Sequence, residues 1–227
     1  MQIQQNIKVA VDAVVFGYRE KQLQVLLIKR KLPPIEGAWA LPGGFVRDQE
    51  GLEAAVEREL QEETNVAINY LEQLYTYGDP KRDSRFRVIS VAYFALVRPD
   101  QFELSAATDA LEARWYPLNA IPKLAFDHSS IIAYALERLR NKLTYNPIGF
   151  DLLDREFPFS ALETLYATVL DRAIDRRNFR KKIMSFGILE ELPKVQTHVR
   201  GRPAALYRFN KKRYFQLLKH GFLFELR

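Results

Sequence analysis

Cysteine is absent from this chain of 227 residues, which removes disulfides, thiol nucleophiles and cysteine zinc sites together. Histidine is nearly absent as well: His128, His198 and His220 are scattered, so an imidazole cage is excluded and any bound metal must be held by carboxylates. No apolar run approaches the roughly 20 residues of a membrane-spanning helix. The opening Met1-Gln2-Ile3-Gln4-Gln5-Asn6 is too polar for a secretion signal. The expectation is a cytoplasmic protein with no membrane partner. Repeats and low-complexity stretches are also missing, and about 100 to 200 residues per domain allows one or two domains.

Positive charge is unevenly placed. From Asp151 onward there are 16 Lys and Arg against 9 Asp and Glu, whereas the first 150 residues carry 18 against 19. A near-neutral N-terminal two thirds joined to a strongly basic C-terminal third suggests two modules, the second facing a polyanion. A solubilising surface is the competing explanation.

Alternating, β-branched residues predict a hairpin over 7–16 and 23–28 with a turn at 17–22. A helix is predicted over 51–64, strands over 68–77 and 86–97, a short strand near 113–116 and a helix over 129–142. This is an α/β layer arrangement. Residues 144–157, with Pro147 and Gly149, are the candidate linker. Beyond it, Ser160 to Glu163 has the form of a capping box, opening a helix with Leu162, Leu165, Tyr166 and Val169 on one stripe. Asp175 can cap a second helix that Gly187 would end. Two extended stretches between 189 and 209, around a turn at Arg200 to Pro203, precede a last helix over 211–221. Helix, turn, helix, hairpin is the order of a winged helix-turn-helix.

The sharpest signal is Leu41-Pro42-Gly43-Gly44, then Glu50, then Arg58-Glu59-Leu60-Gln61-Glu62-Glu63. Glu59, Glu62 and Glu63 stand at i, i+3 and i+4, so one helix projects three mutually repelling carboxylates unless cations lie among them. A solvated acidic face is the simpler reading, and a helical wheel argues against it. At about 100° per residue, Glu59 and Glu63 border the arc of Leu52, Ala55 and Val56 that packs on the sheet. Carboxylates there are costly to desolvate unless paired or metal-bound. Mg²⁺ takes hard oxygen ligands and shares substrate phosphates, so the trio beside a Gly-Gly backbone suits a diphosphate. Arg58 can pair with a carboxylate of the same unit, Glu50 being the nearest in prospect.

The spacing Gly44-x5-Glu50-x7-Arg58-Glu59-Leu60-x-Glu62-Glu63 resembles the Nudix box, with Asn65 in place of its final Gly. Asn is the usual second choice for a left-handed residue just past a helix end. The resemblance implies a Nudix α/β/α sandwich. It also implies Mg²⁺ or Mn²⁺ on Glu59, Glu62, Glu63 and the Gly43 carbonyl, with Arg58 and Glu50 as orienting groups and water attack on a phosphorus. Glu63, or a residue in the loop of Asp127 and His128, is the candidate general base.

Outside the box, Tyr75 to Pro80, Arg82-Asp83-Ser84-Arg85-Phe86-Arg87 and Leu124 to His128 resemble a Nudix subgroup that acts on or senses ADP-ribose. The subgroup often reads Asp-Pro-Arg-Gly-Arg where this chain has Asp83-Ser84-Arg85-Phe86-Arg87. Arg82, Arg85 and Arg87, with Gly43 and Gly44, are the candidate ligand contacts, an exposed basic hairpin tip being the plainer reading.

In the second C-terminal helix Arg176, Arg177, Arg180 and Lys181 share an arc of roughly 140°, with Phe179 and Ile183 opposite. A recognition helix needs such a face, and Arg200 and Arg202 on the hairpin tip can reach an adjacent backbone. Arg176 to Ile183, Gly201 to Ala204 and Leu206 to Phe209 are similar to the C-terminal half of the NrtR family, Nudix-related bacterial repressors. That likeness implies a homodimer on a double-stranded DNA operator with ADP-ribose as effector. The expected organisation is a Nudix domain over 1–143, a linker over 144–157 and a winged helix-turn-helix domain over 158–227. Two alternatives stand beside the regulator: an ADP-ribose or nucleotide-sugar pyrophosphohydrolase with an accessory basic domain, and a sugar-responsive regulator with a vestigial Nudix site.

Overall fold

The computed structural model describes residues 6–106, 110–196 and 203–226. It divides into two compact units, 1–137 and 138–227.

The N-terminal unit is built on a mixed seven-stranded sheet. Its strands are β1 (Ile7–Arg19), β2 (Gln22–Arg30), β3 (Trp39–Ala40), β4 (Gly43–Phe45), β5 (Leu71–Tyr77), β6 (Arg87–Val97) and β7 (Ala110–Pro117). Helix α1 (Leu52–Thr64) lies between β4 and β5, and α2 (His128–Tyr145) follows β7. β1 runs parallel to β6 over its whole central length and antiparallel to β2 and β4. Both faces of β1 are buried. Val11, Ala13 and Val15 join Ala55, Val56 and Leu60 of α1 in one apolar cluster, and Val14 and Phe16 are buried on the opposite face.

The expected turn at 17–22 is shorter in the structure. β1 continues to Arg19 because Gly17 still pairs with Val97 and Arg19 with Gln22, leaving Glu20 and Lys21, both at positive φ, as a two-residue hairpin turn. α1 ends as its sequence predicts: Asn65 takes the left-handed conformation at φ 60°, and its N–H donates to the Gln61 carbonyl. Asn adds what Gly could not, since its side chain accepts from Gln61 and donates to the Glu103 carbonyl.

The C-terminal unit follows. Its elements after α2 are β8 (Phe157–Pro158), α3 (Phe159–Leu170), α4 (Arg176–Ser185), β9 (Leu189–Val195), β10 (Ala205–Phe209) and α5 (Lys211–His220). β10 lies between β8 and β9, giving a three-stranded antiparallel sheet beside the helix pair. Leu162, Leu165, Tyr166 and Val169 are buried as their spacing predicts. The capping box is not formed: α3 begins at Phe159, with Pro158 at its cap position and no side-chain cap. Pro158 is held in β8 by its pairing with Leu206, so the helix starts where the strand stops. Asp175 does cap α4, accepting from the Asn178 N–H.

Residues 144–157 are not an open connection. α2 runs on to Tyr145, and Ile148, Phe150, Leu152 and Leu153 are buried. Phe150 stacks on Phe209 at 3.9 Å, and the Ile148 carbonyl accepts from the buried Tyr166 hydroxyl. These apolar side chains give the segment a share of the C-terminal core, which a reading based on Pro and Gly alone passes over.

Candidate functional site

A cavity of about 510 Å³ opens in the N-terminal unit beside α1, within the size range of small-molecule sites. Gly43, Gly44, Arg58, Glu59, Glu62 and Glu63 line it together, as the sequence suggests. β4 fixes the Gly-Gly backbone by pairing Gly43 with Asp12 and Gly44 with Val11. Helix and strand are then tied directly, the Gly43 N–H donating to Glu63 Oε2 at 2.9 Å. A Cβ at Gly44 would displace the Glu59 carboxylate, whose Oε1 lies in that space.

Arg58 is the hub of the acidic helix. It grips Glu50 with two bonds, 2.6 Å from Nε and 2.9 Å from Nη2, and reaches Glu59 at 2.7 Å and Glu62 at 3.3 Å through Nη1. The pairing with Glu50 expected from the sequence is therefore present. Hydrogen bonding to Arg58 holds the Glu50 carboxyl down at about 2. Glu59 moves the other way, since burial raises its carboxyl against the pull of Arg58. Glu63 is buried and Glu62 is the most open of the three, with Arg47 reaching it at 3.2 Å.

The donors suit a hard divalent cation. Three carboxylates and a carbonyl offer only hard oxygen, and burial disfavours leaving the Glu59 charge without a cation. Among the described residues no three acidic or histidine side chains converge on one point, as Glu59 and Glu62 turn to Arg58 and Arg47 instead.

The opposite partner of β4 carries a network that the sequence did not announce. Asp12 lies at the heart of it. Arg82 Nη2 donates to Asp12 at 3.1 Å and bridges to Asp127 at 2.8 Å, Ser90 donates to the same Asp12 oxygen, and His128 Nε2 stands 3.4 Å away. Burial opposes ionisation of Asp12, yet His128, Arg82 and Ser90 outweigh it and hold the carboxyl well below its usual range. His128 Nδ1 accepts from the Leu41 N–H, so its proton sits on Nε2, toward Asp12. His128 thereby anchors the strand end that carries Gly43 and Gly44.

The arginine fork is only partly assembled. Arg82 and Arg85 line the cavity, but Arg82 is buried in its pairs with Asp12 and Asp127. Arg85 is braced by two bonds to Asp83 and one to the Pro33 carbonyl. Arg87 is not on the cavity wall; its guanidinium donates to the Gly78 and Val88 carbonyls. Residues that sequence reasoning missed are Arg30, Arg47, Phe45 and Phe126, all cavity-lining. Lys29-Arg30 at the end of an alternating strand was the available hint for Arg30.

In the C-terminal unit, Phe179 and Ile183 of α4 are buried, Phe179 lying 4.8 Å from the Tyr166 ring and 5.9 Å from Phe159. The outer face presents Arg176, Arg177 and Lys181 to solvent. Arg180 departs from them: its guanidinium lies 4.5 Å over the Phe159 ring and donates to the Tyr207 hydroxyl at 2.8 Å. Phe159 and Tyr207 give Arg180 an aromatic seat that its helical arc alone does not reveal. Arg200 and Arg202 lie outside the described residues. Two arginines in the first turn of α4 oppose the helix dipole, which Asp175 only partly offsets, whereas a recognition helix touches DNA with that end.

Comparison with known proteins agrees with both units. Residues 7–136 match the model of the NUDIX domain, and residues 149–209 match the NrtR DNA-binding winged helix domain. The chain is 35% identical over 209 residues to the "ADPR responsive transcriptional repressor NtrR" of Acinetobacter baylyi, covering 90% of this chain and 82% of that protein. It is 47% identical over 124 residues to an ADP-ribose pyrophosphatase of Methanocaldococcus jannaschii, covering 55% of this chain and 70% of the other. The crystal structure of Shewanella oneidensis NrtR with a 27mer DNA superposes with a TM-score of 0.82 at 36% identity, covering 91% of this chain and 95% of that one.

Proposed function

The chain belongs to the NrtR family of Nudix proteins with a C-terminal winged helix domain, and from that membership we propose that it is a DNA-binding transcriptional repressor whose Nudix unit senses ADP-ribose. The observation that carries this reading is the joint presence, in one chain, of a cavity walled by the three carboxylates of α1 and a winged unit with a solvent-exposed cationic helix face. A pure hydrolase needs only the first. The repressor of Acinetobacter baylyi is described as ADP-ribose responsive, and the Shewanella oneidensis protein was crystallised on DNA.

The proposal extends to chemistry. A divalent cation on Glu59, Glu62, Glu63 and the Gly43 carbonyl would polarise phosphoryl oxygens of a bound diphosphate. Arg58 keeps Glu50 ionised and orients Glu59, while His128 and Asp12 hold the Gly43–Gly44 backbone in register. The candidate bases, Glu63 and the loop of Asp127 and His128, are all hydrogen-bonded: Glu63 accepts from the Gly43 N–H, Asp127 pairs with Arg82, and His128 faces the Leu41 N–H and Asp12. In the N-terminal unit's likeness to a pyrophosphatase we find support for retained hydrolysis of the effector at its pyrophosphate.

On the other unit, Arg176, Arg177 and Lys181 enter the major groove, and a homodimer presents two such helices to an operator. Arg200 and Arg202 are proposed as further DNA contacts. The experiment is an assay of both activities on one sample, with the operator obtained by selection from a random duplex pool. Duplex DNA binding that ADP-ribose weakens is expected, together with Mg²⁺-dependent release of AMP and ribose 5-phosphate. Hydrolysis without any duplex selected from the pool would reduce the protein to an enzyme, and DNA binding indifferent to saturating ADP-ribose would reject the sensor.

A further inference from the structure

The Arg180 guanidinium is drawn onto neighbouring elements, although the residue stays open to solvent, and no role described so far uses it. Its Cζ lies 4.5 Å over the Phe159 ring at the start of α3 and 5.6 Å over the Tyr207 ring in β10. Nη2 donates to the Tyr207 hydroxyl at 2.8 Å, and that hydroxyl donates in turn to Glu191 Oε2 in β9 at 3.2 Å. A hydroxyl has one proton to give, so the chain from Arg180 through Tyr207 to Glu191 runs in a single direction. One side chain thereby ties α4 to α3 and to both strands of the hairpin. The rings beneath it are firmly placed. Phe159 and Tyr207 are buried and meet edge to face at 6.0 Å, and Phe159 also packs on Phe179, the residue before Arg180.

Tyr207 marks a turning point of the hairpin. Phe209 lies opposite Leu189, Arg208 opposite Glu190 and Tyr207 opposite Glu191, in steady register. Between Tyr207 and Ala205 the register shifts, and Ala205 faces Val195. Such an irregularity bends a strand pair, so the direction of the outer arm is set where the regular ladder ends. Arg180 grips the ladder at that last regular pair. A cationic helix and a β-hairpin engage one duplex together at least cost when the angle between them is held beforehand, since ordering them on binding loses affinity. A phosphate contact alone would not require two buried rings and a phenol behind the guanidinium.

We propose that Arg180 is a positioning residue: with Tyr207 and Glu191 it locks α4 to the β9–β10 hairpin, and the locked angle lets Arg176, Arg177 and Lys181 engage DNA together with the hairpin. It favours a matching duplex through geometry and makes no contact of its own with the DNA. The proposal rests on the reading of this unit as DNA-binding.

The test measures the affinity of the full-length protein for a duplex selected from a random pool and for an unselected duplex of equal length, each across a salt series. The variants are Tyr207→Phe, Arg180→Gln, the two combined, and Arg177→Ala as comparator. Tyr207→Phe removes one hydroxyl and no charge. It should weaken the selected duplex about tenfold with the salt slope unchanged, and the unselected duplex by less than about twofold. Arg180→Gln should lose a similar factor, and the combined variant no more than either alone, because both cut one link. Arg177→Ala should instead weaken both duplexes and lower the salt slope by about 1. Wild-type affinity of Tyr207→Phe for the selected duplex overturns the proposal. So does a loss in Arg180→Gln that adds to that of Tyr207→Phe and lowers the salt slope by about 1, the mark of a phosphate contact. Equal weakening of both duplexes in Tyr207→Phe overturns it as well and leaves Arg180 and Tyr207 as packing residues. Should one single variant fail to fold, the other decides, Arg180→Gln by its salt slope. A wild-type protein that selects no duplex overturns the DNA-binding reading and the proposal together.

Discussion

At Gly44 the space of a missing side chain is occupied by the Glu59 carboxylate, and at Gly43 it is occupied by the carbonyl of Val11. The two glycines should therefore respond differently to alanine. In Gly44→Ala the obstacle is the end of a flexible side chain, so stability should change by less than about 1 kcal/mol while Mg²⁺-dependent ADP-ribose binding falls at least tenfold. In Gly43→Ala the obstacle is backbone that the added Cβ would overlap, and the β1–β4 pairing must give. Denaturant unfolding should report a loss of about 3 kcal/mol or more. Equal effects of the two substitutions on stability would contradict this distinction. Glu50 gives a pH signature at the same scale. Its carboxyl is depressed from 4.5 to about 2 by Arg58, so its contribution to stability is complete above pH 4.5 and is lost as pH falls toward 2. Thermal melts from pH 5 to pH 2 should show a shallower acid decline in Glu50→Gln than in wild type, and parallel curves would refute the assignment.

The elements show where sequence patterns suffice and where they do not. α4 was legible in outline: Asp175 caps it, Phe179 and Ile183 are buried, and Arg176, Arg177 and Lys181 point outward, whereas the seat of Arg180 against Phe159 and Tyr207 was not. Asp175→Ala should cost about 1 kcal/mol, since the Asn178 N–H loses its acceptor, as urea unfolding will measure. Replacing Arg177 and Lys181 with Ala should leave stability unchanged and lower the slope of log affinity against log salt by about 2, as each lost phosphate contact releases roughly one counterion less. An unchanged salt slope would remove these side chains from the interface. α1 was legible for the same reason, because its carboxylates sit at fixed helical spacing and Asn65 announces its end. β3, β4 and β8 were not, being two or three residues long, too short for alternation to register. The capping box failed because Pro158 is claimed by a strand that pairs with Leu206, a contact 48 positions away. Long-range pairing also hid the Asp12–Arg82–Asp127–His128 network, whose members come from separate parts of the chain.

For the molecule as a whole, the central claim is that one chain binds duplex DNA and ADP-ribose and that each ligand weakens the other. A ligand can shift a protein between states only through a difference in affinity for them, and the coupling must be the same from either side. The charge asymmetry along the sequence agrees with a division of labour, the C-terminal third carrying the surplus of Lys and Arg and the N-terminal part the acidic helix. The most direct measurement titrates operator DNA into the protein at a series of fixed ADP-ribose concentrations, in Ca²⁺ in place of Mg²⁺ to suppress turnover, and titrates ADP-ribose with and without saturating operator. The account predicts that DNA affinity falls as ADP-ribose rises and that ADP-ribose affinity falls by the same factor on DNA, a factor between about 5 and 150. Two affinities that are each measurable and each indifferent to the other ligand would contradict it.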